Sequence, residues 1–288
     1  MIAVFKREVG AYYKSIVGYL IAAFLLIFAG IYCMAYNLSG YYANFEYVLD
    51  SISFIYLIAV PIISMRAMAE EKRQKTEQLL YSLPLRLSDV VLGKYLAMLV
   101  VLLVPCAVLA CYPLILSQWG NVPMLTGYGT LLAFFLLGAC LLSIGLFVSS
   151  ITESQVAAAV ITLVTLLLLY FMSSLASFVS TEAVASLGVL CVMVVLVAIA
   201  VFALSRNAIV AVLTAGVGCG GLYLWYQADS SAFSGLFGRM MEAISVFDRF
   251  TGFVNGIFDL KAIVYYVSII AAFLFLTVQV LEKRRWSE

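Results

Sequence analysis

Charge is what this sequence has least of. Only 11% of its 288 residues are Asp, Glu, Lys or Arg, 65% are hydrophobic, and the mean hydropathy is +1.12. A soluble domain of this length covers itself with roughly a quarter charged residues. This chain lacks them, so lipid must be its principal solvent. Histidine is absent altogether, which removes the commonest general base and the commonest metal ligand. A net charge of +1 leaves no basic surplus for a phosphate backbone, and nucleic acid is excluded as a dedicated partner. The six cysteines (Cys33, Cys106, Cys111, Cys140, Cys191, Cys219) lie in apolar runs and form no CxxC. They read as small, soft packing residues, not as a disulfide framework or a metal site.

Catalytic equipment is missing as well. There is no GxxxxGK[ST] phosphate loop, no HExxH, no histidine to activate a serine, and no pair of carboxylates sharing a helix face in an apolar pocket. Any work done across a membrane must therefore draw its energy from another protein, and the chain itself is expected to be neither an enzyme nor a cofactor holder.

What is present is a succession of long apolar runs. About 20 apolar residues span a bilayer core. That ruler gives eight crossings, approximately 15–36, 47–65, 94–116, 127–149, 155–178, 184–204, 207–226 and 262–281, in an all-α polytopic membrane protein. Pro61 interrupts the second, and Pro105 and Pro113 the third, where neighbouring helices can satisfy the freed carbonyls. No ionisable residue falls near the middle of any run. Glu153 and Glu182 flank the fifth, and Glu46 and Asp50 sit near the outer end of the second. Ion-coupled pumps usually hold an ionisable group at membrane depth, and this sequence offers none.

Lys and Arg placement sets the orientation. With both termini cytoplasmic, thirteen of the sixteen basic residues lie inside, and only Arg239, Arg249 and Lys261 lie outside. Trp119, Trp225 and Trp286 fall at the ends of crossings, where an aromatic belt belongs. Residues 2–14 place Ile2, Phe5, Val9, Tyr12 and Tyr13 on one helical face and Lys6, Arg7 and Glu8 on the other, which predicts an interfacial helix along the inner leaflet. The run that follows is too long for a signal peptide and lacks its cleavage site.

Two regions leave choices open. The stretch 184–226 fits two further spans or one tilted span with a re-entrant piece, and the hairpin is the expectation. The stretch 227–261 reads as an external amphipathic helix, carried by Leu236, Met240, Ile244, Phe247, Val254 and Ile257; a lid or a surface spacer fits the same pattern. Small residues cluster at Gly138, Ala139, Ser143, Gly145 and Ser149, and again at Gly216, Gly218, Gly220 and Gly221. Both sets predict close helix packing.

The only long polar segment is 66–94, with six of the sixteen basic residues and four of the fifteen acids. A helical pattern covers 66–83, Pro84 stops it, and Ser88 is the expected N-cap of the next helix with Asp89 in its first turn. On chemistry alone the segment is either a solvated connection or a handle for a soluble motor.

Residues 70–97, EEKRQKTEQLLYSLPLRLSDVVLGKYLA, resemble the segment after the second span in ABC-2-type transporter permeases: an acidic-basic stretch, Thr-x-Gln-Leu-Leu at 76–80, Pro84, then Gly93-Lys94. Residues 247–286 and 44–72 resemble the gliding-motility-associated and nitrous-oxide-accessory branch. The resemblance implies a six-span core, so that 184–226 is an inserted hairpin in a single permease domain covering 1–288. It implies a coupling helix at about Glu70 to Leu83, with Glu70, Glu71, Arg73, Thr76, Glu77, Leu79, Leu80, Leu83 and Pro84 contacting an ATPase, and Glu153 as a second cytoplasmic contact. The implied partners are a dimer of ABC ATPase subunits, which carry the ATP and Mg²⁺, a second identical or related permease, and an accessory membrane protein with a large external domain. The implied activity is export across a bacterial plasma membrane. A stand-alone carrier or channel, and a non-transporting scaffold, are the competing readings.

Overall fold

The computed structural model describes residues 1–73, 86–118, 120–172, 174–175, 183–184, 186–192, 194, 198, 208–228 and 233–287. Among them every regular element is helical. They form two compact units, 1–168 with 246–288, and 169–245.

The first unit holds α1 (Ile2–Lys14), α2 (Ile16–Cys33, continued by a π-helical turn Met34–Ser39), α3 (Glu46–Ile52), α4 (Tyr56–Ser64), α5 (Ala69–Arg73), α6 (Leu87–Leu109), α7 (Cys111–Leu116), α8 (Met124–Ile151), most of α9 (Gln155–Tyr170), α12 (Asp248–Val254) and α13 (Leu260–Ser287). The second holds α10 (Ala208–Ala228) and α11 (Leu236–Ile244). Five helical runs among the described residues are long and apolar enough to cross a membrane: 16–39, 46–73, 87–116, 124–151 and 260–285. Of the other expected spans, 155–178 is helical over Gln155–Tyr170, 207–226 falls on α10, and 184–204 is helical at 186–192, with about half of it outside the described residues.

The hub of the first unit is α8, against which α3, α4, α6, α12 and α13 all pack. Its small residues explain why. A Cβ on Gly138 would come within 2.5 Å of Leu102 and 2.8 Å of the Tyr56 ring, and one on Gly145 within 2.5 Å of Ser64 Oγ. Small residues thus let α4 and α6 approach the α8 backbone, as the sequence predicts for this helix. Large side chains fill the spaces between: Tyr56 stacks on Phe134 at 4.6 Å and donates to the Phe134 carbonyl at 2.9 Å, while Tyr95 donates to the Ala139 carbonyl at 3.0 Å.

Several expectations are corrected. The second crossing is not cut at Pro61, which sits inside α4; the helical run continues to Arg73. The helix of the third crossing begins at Leu87, next to the expected Ser88, and passes Pro105 unbroken. It breaks at Ala110 instead, because Pro113 has no N–H to give the carbonyl of Leu109. Arg86, not Ser88, is the N-cap of α6, and it caps without a side-chain bond; Asp89 is in the first turn as expected. The single amphipathic helix expected in 227–261 is two helices, α11 and α12, parted at extended Ser245. Phe250 and Phe253 of α12 are buried in the first unit, and Thr130 of α8 donates to the Phe253 carbonyl at 3.0 Å. Tyr266 ties the same region down by donating to the Val246 carbonyl at 3.0 Å. The glycine cluster of α10 is corrected in part. Gly218 lies close against Val194, but Gly216 and Gly220 have no atom of the described residues within 4 Å of a built Cβ.

Candidate functional site

The N-terminal helix departs from its predicted face. Val4, Glu8 and Tyr12, at i, i+4 and i+8, turn toward the bundle, while Ile2 stays exposed. The reason is visible in α6. Gly93 has no side chain, so the α1 backbone can approach: its Cβ position is 3.2 Å from the Met1 carbonyl oxygen and from Val4. One residue on, the Lys94 side chain reaches the Glu8 carboxylate.

Lys94 is 2% exposed. Its ammonium donates to the Ala67 carbonyl at 2.7 Å and lies 3.0 Å from Glu71 Oε1 and 3.2 Å from Glu8 Oε1. Three donors thus meet three acceptors. Arg7 closes the set from the rim, with its side chain 57% exposed, at 2.7 Å from Glu8 and 2.6 Å from Glu71. Two cations and two carboxylates balance, which is the condition for burying charge at all. The hydrogen bond that Arg7 donates to the Glu8 carboxylate is the main influence raising the guanidinium above its ordinary pKa, against the opposing effect of burial. A neighbouring bond reinforces the arrangement: Tyr12, whose phenol burial pushes upward, donates to the Ile63 carbonyl at 2.8 Å.

A second set of bonds joins the same region to the C-terminal end of α8. Ser149 Oγ accepts from the N–H groups of Met68 and Ala69, each at 3.1 Å. Buried Lys72 donates to the Ser150 carbonyl and reaches that of Thr152 at 3.4 Å. Arg284 of α13 donates to the Ile151 carbonyl at 3.0 Å. Two cations thus sit on the last carbonyls of α8, which no intrahelical partner satisfies and where the helix dipole is negative.

The polar segment therefore divides. Glu71, Lys72 and Lys94 are spent inside, holding the ends of the second and third spans to α1 and α8. Glu70, Arg73, Arg86 and Glu153 are on the surface or half-buried, with Arg66 and Glu70 forming a loose pair at 3.9 Å. Of the predicted contacts, Glu70, Glu71 and Arg73 are placed at this end, and Glu153 follows the end of α8. Thr76, Glu77, Leu79, Leu80, Leu83 and Pro84 lie outside the described residues.

Sequence reasoning missed Lys94 and Glu8 as partners. A signal existed: no charged residue follows Lys94 until Glu153, so a lone lysine seven residues inside an apolar helix needed an acid. Among the described residues no group of three or more His, Cys, Asp or Glu is placed to hold a metal ion.

The sequence model described as "ABC-2 family transporter protein" matches residues 11–282. No curated protein and no solved structure matches the chain.

Proposed function

The chain belongs to the ABC-2 transporter family, whose members are multi-pass membrane components that normally work with an ABC ATPase, and from that premise we propose that it is the permease subunit of an exporter in a bacterial plasma membrane, driven through residues 66–94. The observation that carries this reading is the buried Lys94–Glu8–Glu71 cluster. A force applied between the arms of the polar segment passes through it to α1 and to the third span. Through Ser149 and Lys72 the same force passes to α8, the helix on which most of the first unit packs. A merely connecting loop would have no need of these ties.

In this reading the ATPase grips the stretch from Glu70 to Leu83, with Leu79 and Leu80 as its apolar contacts and Glu153 at the margin. ATP closes the motor dimer, and the spans rock between two arrangements. A second permease copy, or a related one, completes the path. The similarity of 44–72 and 247–286 to the gliding-motility and nitrous-oxide-accessory branch supports an accessory membrane protein with a large external domain.

The test is purification of the tagged chain with its native partners. A Walker-motif ATPase is expected to co-purify, and the isolated chain to hydrolyse no ATP. Leu79→Asp with Leu80→Asp is expected to release the ATPase, because docking would bury the new charges. Unchanged ATPase yield and unchanged stimulated hydrolysis would sink the docking site. Labelling of single cysteines is expected to find Lys75→Cys and Trp286→Cys cytoplasmic and Gly120→Cys external; the reverse pattern overturns the orientation.

A further inference from the structure

Beneath α1 the first unit leaves a trough of about 470 Å³, within the size range of small-ligand sites. Ile2 and Phe5 of α1 form its roof, and Leu96, Leu99 and Leu103 of α6 with Phe135 of α8 form its walls. The wall from Leu96 to Leu103 is eight residues of helix, about 10 Å from end to end. It lies within a run apolar and long enough to cross a membrane, 87–116, so in a bilayer it stands at hydrocarbon depth.

Among the described residues the trough has one charged side chain in its lining, Lys6. Exposed Lys6 has, among the described residues, neither ion pair nor hydrogen bond, whereas its neighbour Arg7 is held by Glu8 and Glu71. None of the described carboxylates lines the trough. The site thus offers a hydrocarbon slot along α6 and an uncompensated cation at its rim. Its occupant must be apolar along its length and anionic at one end.

We propose that this trough binds an anionic phospholipid, with an acyl chain along Leu96, Leu99 and Leu103 and the phosphate on the Lys6 ammonium. A zwitterionic lipid fills the slot equally well, but its own cation competes for the phosphate, so Lys6 is what discriminates. The proposal needs only that α6 crosses the bilayer and α1 lies at its end; it does not depend on motor docking.

The experiment titrates the full-length chain in detergent with dioleoyl phosphatidylglycerol or dioleoyl phosphatidylcholine and counts bound lipid by native mass spectrometry. The unaltered chain is expected to hold one phosphatidylglycerol about fivefold more tightly than phosphatidylcholine, the scale of one basic residue at a membrane surface. Lys6→Glu, a change at an exposed position, is expected to bring that ratio to about one or below. Leu99→Trp, which fills the slot, is expected to weaken both lipids together. Equal binding of the two lipids by the unaltered chain overturns the proposal, as does a preference that survives Lys6→Glu. So does a lipid-free dimer cross-linked through Ile2→Cys, which would make the occupant a second copy. Where Leu99→Trp lowers the yield of folded chain, the Lys6→Glu comparison decides alone.

Discussion

Helices α8 and α13 are each 28 residues long, and each contains a run apolar enough to span a bilayer. Yet 72% of that apolar window is buried in α8 and 11% in α13. Hydropathy measures transfer into lipid and does not distinguish a neighbour from a lipid tail, since both are apolar. Both helices carry large side chains, Phe134 to Leu137 in α8 and Phe273 to Leu276 in α13, but only α8 has glycines, Gly138 and Gly145, at the points where α4 and α6 come close. Close approach at those small residues builds the core of the first unit, and burial also grades the cations: buried Lys72 and Lys94 are each held by several acceptors, whereas the half-exposed Arg66–Glu70 pair is loose at 3.9 Å.

The comparison can be broken at several points. The largest effect is expected from Gly138→Leu, which drives carbon into Leu102 and the Tyr56 ring; overpacking of this kind costs about 3 kcal/mol or more. A detergent thermal melt should fall sharply, while Val264→Leu on the exposed face of α13 should leave it unchanged. Equal shifts would remove the distinction between the two helices.

Lys94→Met comes next. It leaves Glu8 and Glu71 facing each other, but both carboxylates are partly in reach of water and Arg7 remains, so the expected loss is about 2 kcal/mol, below that of a fully buried pair. Adding Glu8→Gln and Glu71→Gln should recover part of it in the same melt. A null effect of Lys94→Met would mean that the cluster ties nothing together. Ser149→Ala removes an acceptor shared by two buried N–H groups and is expected to cost about 1 kcal/mol. Glu70→Gln alters a loose, half-exposed pair with Arg66 and is expected to shift stability by less than about 0.5 kcal/mol. A shift from Glu70→Gln as large as that from Lys94→Met would contradict the grading by burial.

The sequence carried a good deal of this. Long apolar runs with no ionisable residue at their centres announce a membrane protein, and the small residues of α8 announce close packing. The isolation of charge in 66–94 marks the segment where the bonded cluster lies. The inward face of α1 depends on contacts with Gly93 and Lys94, residues distant in sequence. Glu8 looked like a surface charge because periodicity sorts polar from apolar, and nothing in the period announces a lysine 86 positions away. Val4 and Tyr12 flank it on the face that Gly93 exposes.

By itself, then, the sequence determined the solvent of this protein and the class of chain it is, because transfer free energies are sums over local composition. The tertiary structure alone decided which helix became the core, which charges were consumed in holding the polar segment to its neighbours, and which cation, Lys6, was left over an apolar trough. Those outcomes turn on interatomic distances of a few ångströms between segments far apart in the chain, and a linear pattern contains no such distances.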